Sequence, residues 1–593
     1  MSESYWLDAL WTIVRMLSFI IHQCPHLWTL IVCFCKHDSM WYGWLMDMNS
    51  FSGSVRWTSP ALVRFLTWHS KWYTIIMITL NTIIQWFMKP LRHASWLNRF
   101  RGLILIASSA IMLAFALSTP YDYAEHDSFA VDDYRGGHAA YIWWMSDDHL
   151  FEIPSWDTRV VKDGVFNASN GGMWSWNNPP LYYWLMAIPV WFARLLTSMF
   201  NLGWTVNGIM LVPQVFGVII MIAFMLLSIE TMHALELDDR MLNIGTLLLC
   251  SAPTLMYESR SIGNDVLLAL LFLLGLRFLM TWWHEPSLKN SAMIALITGL
   301  ACMTKVNGFI LMLIAFIVFI IRVIAWFHEN RKASENKTTG DDGIMMTWFD
   351  WLKDAGMFTL IAIPLSFWYQ LYEYVEFHVP LFFVQRPFYA GEVKGYHNPE
   401  PTIGFNGGVS RWFHAVINQP TISPDDSNIP VNAVKTYVNS LFVPREPFLG
   451  LLQWIGFGLG LIMLIIMFIF MMTGLTCIMK RGFHGLSPEW IISGVSIMIM
   501  GSFYVYCCYR EPVMSTPNVR YIIMLFPFII SIIMHAMQSL LESNNIIMRR
   551  IGIVIMIISI LFAMTCFMIN GTLTIDCMTG IAFKPIMKWW LTA

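Results

Sequence analysis

Charged residues are scarce in this sequence. Asp, Glu, Lys and Arg together make up 12% of its 593 residues, about half of the roughly 25% found in soluble globular domains. Hydrophobic residues make up 57%, and the mean hydropathy is +0.56. The net charge is −2, and no basic stripe offers contacts to a phosphodiester backbone. A soluble fold and a nucleic-acid partner are both disfavoured.

The short motifs of several enzyme classes are also missing. The sequence has no HExxH, GxGxxG or Walker A motif, so zinc-protease, dinucleotide-binding and P-loop chemistry have no support. Its ten cysteines are scattered, mostly inside apolar segments, and form no CxxC pair. This distribution is typical of buried thiols. We predict no metal site and no cofactor, and the acidic start without a basic region predicts no cleavable signal peptide.

Long apolar runs dominate the chain instead. Five of the clearest are 102–118, 265–283, 309–321, 451–472 and 551–569. Several approach the roughly 20 residues that a helix needs to cross a bilayer. Because lipid offers no hydrogen bonds to the backbone, such runs predict helices. The expected fold class is an all-α polytopic membrane protein.

Basic clusters between the apolar runs predict the orientation. They lie at Lys89–Arg101, Arg322–Lys337, Lys480–Arg481 and Arg549–Arg550, and such clusters mark the cytoplasmic side. Two long loops, about 119–179 and about 372–448, then fall outside. Between Asp122 and Asp163 the first loop has ten acidic and three basic residues, which agrees with that side.

Three regions are predicted from these patterns. Residues 1–95 form an N-terminal extension with one or two membrane or interfacial helices, 96–540 form the core, and 541–593 form a C-terminal transmembrane helix with a short tail. Segment 180–204 contains Pro189 and Arg194. Counting crossings leaves open whether it spans the bilayer or is a re-entrant or interfacial helix.

The first outer loop combines acids with tryptophans. Its segment HAAYIWWM (138–145) contains Trp143 and Trp144, which suit a short helix at the membrane interface. Such a helix would hold carboxylates at headgroup depth, where a lipid-linked substrate presents its phosphate.

Four cations lie at the outer ends of apolar runs. They are Arg260, Lys305, Arg510 and Arg520. Placing a charge at such a position costs free energy, so charged residues found there often have a function. The structural alternative is that they snorkel to the interface or pair with a nearby acid such as Asp265.

Several motifs resemble one family of membrane enzymes. An acidic residue precedes GHAAYI, and PPLYY (179–183) follows the polar loop. Further along come RSIGND (260–265), GLACMTK (299–305) and NVRY (518–521). In this order they resemble the GT-C superfamily of polyprenyl-phosphate-dependent glycosyltransferases, in the glycosyltransferase 39/83-like branch of the protein O-mannosyltransferases and the lipid A aminoarabinose transferase.

This resemblance implies a GT-C fold with about 11–14 transmembrane helices and interfacial helices in the first large outer loop. It also implies a base and a substrate-binding set. Asp133, five positions before His138, is the favoured general base, and Asp132 and Asp122 remain alternatives. The family's usual position, four before the His, holds Tyr134, and Asn178 stands where His or Gln often precedes the double proline. The implied substrate-binding residues are His138, Tyr182, Tyr183, Arg260, Asn264, Asp265, Lys305 and Arg520.

The implied function is transfer of a hexosyl or pentosyl group, with inversion, from a polyprenyl-phosphate carrier. The partners are this donor, the lipid bilayer and an extracytoplasmic acceptor, which is a protein, a lipid or a glycan. Such an enzyme lies in the plasma membrane of a bacterium, in its cell envelope, or in the endoplasmic reticulum of a eukaryote. A polytopic transporter or lipid flippase is the alternative. It predicts repeat-related halves and charges at mid-membrane, whereas the charges here cluster at outer ends.

Overall fold

The apolar runs form helices wherever the chain is described. The computed structural model describes residues 96–119, 138–147, 150–151, 161–162, 165–166, 178–201, 204–336, 348–377, 381, 450–481, 486–510 and 519–579. Its elements are, in chain order, α1 (Arg99–Ser118), α2 (His138–Met145), β1 (Val161–Lys162), β2 (Val165–Phe166), α3 (Leu181–Phe200), α4 (Val206–Ala234), α5 (Asp239–Ser251), α6 (Pro253–Arg260), α7 (Asp265–His284), α8 (Leu288–Thr304), α9 (Gly308–Asn336), α10 (Trp348–Phe377), α11 (Gly450–Arg481), α12 (Pro488–Arg510), a 3₁₀ helix (Val519–Leu525), α13 (Phe526–Leu541) and α14 (Ile546–Thr579). Strands β1 and β2 pair antiparallel, with Val161 opposite Phe166.

Polar side chains mark where several helices begin. Asn98, Thr205, Asp238 and Ser287 each accept a hydrogen bond from a backbone N–H in the first turn of the helix that follows. Such N-caps satisfy donors that have no partner inside the helix. They therefore fix the starts of α1, α4, α5 and α8.

Polar contacts join the helix ends on the side that the basic clusters predict to be cytoplasmic, which is called the cytoplasmic end below. The buried guanidinium of Arg101, on α1, donates to Asp239 Oδ1 at 2.9 Å and to Asn243 Oδ1 at 2.9 Å, both on α5. The end of α7 is held by Trp282 Nε1, which donates to Asp354 of α10 at 2.8 Å, and by His284, which bonds Glu489 of α12 at 2.6 Å. Arg277, also near the end of α7, pairs with Glu230 near the end of α4, just before α5. The starts of α1, α5, α10 and α12 therefore lie at the same end as the end of α7.

The opposite, outer end is also fixed by side chains. Gln214, two turns into α4, donates to the backbone oxygen of Thr119 at the end of α1. Phe115 packs edge-on against Tyr257 of α6, with ring centres 5.6 Å apart. Helices α4 and α1 therefore run antiparallel, and α4 begins on the outer side.

Helix α3 begins and ends on the outer side. Near its start, Tyr183 hydrogen-bonds His138 of α2. Near its end, Arg194 pairs with Asp147, just after α2, and α4 begins a few residues later at the outer end. Although α3 is 20 residues long and apolar, it packs along α2 and does not cross. Helix α3 is therefore not a transmembrane crossing, a point that the sequence left open for segment 180–204.

One crossing is made by two short helices. Helix α5 ends at Ser251 and α6 starts at Pro253, in the first turn, where proline is tolerated. The break leaves carbonyls of α5 without partners in the helix. Neighbours satisfy them, because Ser108 of α1 donates to Cys250 O at 2.7 Å and Asn570 of α14 donates to Ser251 O at 3.0 Å.

The helices alternate in direction along the described chain. Apart from α2 and α3, the crossings in the described residues are α1, α4, the α5–α6 pair, α7, α8, α9, α10, α11, α12, the 3₁₀ helix with α13, and α14, which makes eleven. Eight described helices, α3 among them, are long and apolar enough to span a bilayer. The expected all-α, polytopic architecture is confirmed, and the chain is an integral, multi-pass membrane protein.

Candidate functional site

The candidate site lies at the outer end, where α7 begins and α8 finishes. These two helices are antiparallel neighbours joined by a short turn at the cytoplasmic end. Asp265 is the first residue of α7 and Lys305 is the C-cap of α8. Because the two helices have similar lengths, these residues return to the same depth.

A tight turn after Lys305 holds that residue in place. The N–H of Gly308 donates to Lys305 O at 2.8 Å, and Phe309 N–H donates to Val306 O at 3.0 Å. A Cβ on Gly308 would lie 2.4 Å from the carbonyl carbon of Ala301. Only glycine therefore lets the first turn of α9 lie against the last turn of α8.

Asp265 is paired with two cations. Lys305 Nζ lies 2.6 Å from Asp265 Oδ1, and Arg520 Nε lies 3.6 Å from Asp265 Oδ2. The Asp265 carboxylate is buried, so the contact is little screened by water. Asp265 therefore brings two positive groups together, and the charge of a second buried carboxylate, Glu258, also acts on Arg520.

Tyr521 lies beside both cations. Arg520 Nη2 donates to the Tyr521 hydroxyl oxygen at 2.8 Å. Lys305 Nζ lies 5.0 Å from the centre of the Tyr521 ring, and Arg520 Cζ lies 4.9 Å from it. The aromatic ring attracts both cations and limits their freedom.

Asn264 connects the start of α7 with two other segments. Its side-chain nitrogen donates to Thr304 O at 3.0 Å and to Asn178 Oδ1 at 3.3 Å. The residue is fully buried. Asn178, which departs from the family pattern, thus connects the segment 178–180 before α3 to the site.

His138 and Tyr183 form the next layer. His138 Nδ1 and the Tyr183 hydroxyl are 2.6 Å apart, and their rings stack with centres separated by 5.7 Å. A Cβ on Gly263 would lie 3.9 Å from His138 Cδ2, and His138 interacts electrostatically with Asp265. The first residue of α2 therefore lies next to the ion-pair cluster.

The two tyrosines of PPLYY are buried. Tyr182 and Tyr183 expose 2% and 0% of their surface, and their rings meet edge-on. Both belong to the apolar cluster between α2 and α3. Tyr183 is connected to the ion pairs of Asp265 through its hydrogen bond with His138.

Arg260 lies on the α1 side of the same outer end. Its guanidinium carbon is 4.2 Å from the centre of the Phe115 ring and 5.0 Å from that of Tyr257. Asp265, which the sequence offers as a possible partner of Arg260, has Lys305 and Arg520 as its ion-pair partners.

The predicted bases cannot be placed. Asp133, Asp132 and Asp122 lie outside the described residues, and their role stays a prediction. In the part of the chain that is described, no group of three or more His, Cys, Asp or Glu side chains could hold a metal ion.

The sequence did not single out Glu373, a buried carboxylate near the end of α10. The residue exposes 4% of its surface. It lies close enough to Tyr141 for its charge to act on that phenol, whose pKa is raised by burial and further by Glu373. The segment QLYEYVEF (370–377) contains the available signal, since an acid in an aromatic, apolar helix is a functional candidate.

Comparisons with known proteins identify no family for this chain. No family model matches the chain, and no curated protein matches it. Among solved structures it is similar to the crystal structure of ArnT from Cupriavidus metallidurans bound to undecaprenyl phosphate. The identity is 12% and the TM-score is 0.38, over 81% of this chain and 78% of that chain.

Proposed function

We propose that this chain is a membrane glycosyltransferase of the GT-C fold. It transfers a sugar from a polyprenyl-phosphate carrier to an acceptor on the outer side of the membrane, with inversion at the anomeric carbon. The acceptor belongs to one of three classes, protein, lipid or glycan. The carrier and the bilayer are its lipid partners, and the enzyme lies in a bacterial plasma membrane or in the endoplasmic reticulum.

One observation supports this proposal most strongly. Lys305 and Arg520 come from segments far apart in the sequence and meet on Asp265 at the outer end of the bundle. They place two cationic groups within one small region. A phosphate at the membrane interface is an anion that such a pair can bind by charge-assisted hydrogen bonds.

The proposed reaction needs this charge. The acceptor oxygen forms a bond to the anomeric carbon while the bond from that carbon to the phosphate oxygen breaks. The bonding electrons leave with the phosphate, so negative charge grows next to Lys305 and Arg520. Positive groups fixed where charge develops stabilise the transition state.

The acceptor proton must pass to a base. Asp133 is proposed for this role, with Asp132 and Asp122 as alternatives, because a carboxylate within hydrogen-bond reach can remove the proton. Asp133 lies five positions before His138, which is at most about 18 Å of extended chain. His138 lies beside Asp265, so a base at Asp133 is compatible with one shared site.

A transporter is the competing function, and broken helices are one of its features. Helices α5 and α6 form such a break. Their freed carbonyls, however, accept hydrogen bonds from Ser108 and Asn570 and so are not left open to coordinate an ion. This observation favours the enzyme.

The proposal can be tested on the full-length protein in lipid nanodiscs. Undecaprenyl phosphate carrying mannose, glucose, galactosamine or aminoarabinose would be supplied with a cell-envelope or microsomal acceptor fraction. Release of undecaprenyl phosphate would be measured by mass spectrometry for the wild type, Lys305→Ala, Arg520→Gln and the three base variants Asp133→Asn, Asp132→Asn and Asp122→Asn. Arg549→Gln, at the cytoplasmic end, is the matched control.

We expect carrier release by the wild type and the control, and loss in both cation variants and in one base variant. Full turnover in all three base variants would exclude the proposed bases. Movement of an intact carrier across the bilayer without release would favour the transporter.

A further inference from the structure

A second group of polar atoms lies next to the His138–Tyr183 pair and has no role in the proposed reaction. It comprises the carboxylate of Glu373 on α10, the hydroxyl of Tyr141 on α2 and the indole N–H of Trp184 on α3. Each group includes a buried polar atom, namely Glu373 Oε1, Tyr141 Oη and Trp184 Nε1, that has no hydrogen-bond partner among the described residues.

These atoms belong to side chains that pack together. The ring of Tyr141 lies 4.1 Å from that of Tyr183, centre to centre. Trp184 stacks on Trp368 of α10 with centres 6.0 Å apart and planes 17° from parallel. Trp368 in turn contacts Tyr369 edge-on. Contacts between aromatic rings thus connect α2, α3 and the outer part of α10.

Glu373 is only partly satisfied within this cluster. Gln370 Nε2 donates to its Oε2 at 3.4 Å, and Tyr369 interacts with the carboxyl group. Buried carboxylate oxygens normally have hydrogen-bond partners, because a buried polar atom without one costs free energy. An orphaned Oε1 beside an orphaned phenol is therefore a candidate for binding a ligand hydroxyl.

Glu373 lies at nearly the same depth along the helix bundle as Lys305. Helices α8 and α10 run in the same direction and pack closely, since a Cβ on Gly299 would lie 2.5 Å from Cβ of Leu365. Counting from this contact at about 1.5 Å per residue, Lys305 lies level with position 371, and Glu373 lies about 3 Å further out. A sugar joined directly to a phosphate at Lys305 would be at this level.

The chemistry of the cluster disfavours a second phosphate. A carboxyl group, a phenol and an indole N–H supply no positive charge to bind an anion, whereas together they can accept from and donate to hydroxyl groups. Aromatic rings also pack against the C–H faces of a sugar ring and exclude water there. The arrangement suits a neutral, polyhydroxylated ring.

We propose that Glu373, Tyr141 and Trp184 form the subsite that binds hydroxyl groups of the transferred sugar. This inference rests on the proposed function, since it places the sugar next to the phosphate held by Lys305 and Arg520. Glu373 and Tyr141 then distinguish a loaded carrier from a bare one, and Lys305 binds both.

Binding measurements can separate these roles. Full-length protein in nanodiscs would be titrated with bare undecaprenyl phosphate and with the mannosyl, glucosyl and galactosyl forms, and Kd measured by microscale thermophoresis. The variants are Glu373→Leu, Glu373→Gln, Tyr141→Phe and Lys305→Ala. Asp354→Asn is the matched control, because Asp354 is a buried carboxylate on the same helix at the cytoplasmic end.

We expect the wild type to bind at least one loaded carrier about tenfold tighter than the bare carrier, the effect of one hydrogen bond to a charged group. In Glu373→Leu and Tyr141→Phe this ratio should approach one while Kd for the bare carrier stays unchanged. Glu373→Gln should keep part of the ratio, and Lys305→Ala should weaken both carriers equally. Glu373→Leu removes an incompletely paired buried group, so its thermal stability should be preserved.

Three results would overturn the inference, and they show whether the sugar subsite alone or the whole proposed function is wrong. If bare carrier binds through Lys305 but no sugar raises the affinity, or the ratio survives in Glu373→Leu and Tyr141→Phe, the sugar subsite is wrong and the phosphate site stands. If no carrier binds at all, the proposed function fails and the subsite fails with it.

Discussion

Lys305 Nζ and Asp265 Oδ1 lie 2.6 Å apart, joining the end of one transmembrane helix to the start of its antiparallel neighbour. Arg520 approaches the other oxygen of the same carboxylate. Asp265 therefore has a structural role, because it holds two like charges close together. It also has a chemical consequence, because the two cations lie at the outer end of the bundle, where a lipid phosphate would lie.

The first prediction concerns the energetics of this pair. Lys305→Met and Asp265→Leu, made separately and together, should show a coupling energy of about 1–3 kcal/mol, as neighbouring residues in one network do. Each single change leaves a buried charge with fewer partners, and the double change removes both. The measurement is the free energy of unfolding of the purified protein in mixed micelles.

The exposed pair Lys353–Asp350 on α10 provides the control. Surface pairs contribute at most about 1 kcal/mol, so Lys353→Ala should change stability little. Equal coupling in the two pairs would contradict a buried role for Lys305 and Asp265.

The second prediction separates charge from geometry at Arg520. Arg520→Gln should lower carrier turnover on the order of a hundredfold, since it removes a cation that faces the leaving phosphate. Arg520→Lys keeps the charge but cannot reproduce both the contact with Asp265 and the bond to Tyr521, so it should recover only part of the rate. Turnover would be measured as released undecaprenyl phosphate, and a wild-type rate in Arg520→Gln would contradict the proposal.

The third prediction concerns Asn264. In Asn264→Asp a donor facing the Thr304 carbonyl becomes an acceptor, which should destabilise the protein by about 1–3 kcal/mol and displace Lys305. Asn290→Asp is the matched control, because the exposed Asn290 side chain donates to Glu285 O in the same manner. A thermal unfolding shift should appear in the first variant only.

The fourth prediction concerns Tyr183. Tyr183→Phe removes the hydroxyl that contacts His138 and keeps the ring that packs against Tyr141. We expect carrier affinity to stay near the wild-type value while kcat falls, because the change releases His138 without touching Lys305 or Arg520. Kd for undecaprenyl phosphate and kcat would be measured on the same preparation. A fall in affinity with unchanged kcat would place Tyr183 in lipid binding instead.

The fifth prediction tests the return of α3. In a chain whose native cysteines are replaced, Asn201→Cys should react with a membrane-impermeant maleimide added to the outer side. Asn544→Cys, in the turn between α13 and α14, should react only after the membrane is permeabilised. Labelling of both from the same side would contradict the assigned topology.

The sequence by itself determined the class of this protein. Apolar runs such as 265–283 must be helical because lipid leaves the backbone no other hydrogen-bond partners, and basic clusters predict which ends face the cytoplasm. The cations at the outer ends of the runs were also visible. The common depth of Asp265 and Lys305 follows from two antiparallel helices of similar length.

Tertiary structure alone decided which of these groups meet. Hydropathy cannot distinguish α3, which returns to the outer side, from a crossing helix of the same length, because only its contacts with α2 and α4 reveal the direction. Arg520 reaches Asp265 through packing of segments far apart in the chain, and no local pattern specifies that distance. Glu373 was hidden for the same reason: a single acid in an aromatic helix gains its meaning from Tyr141 and Trp184, which other helices supply.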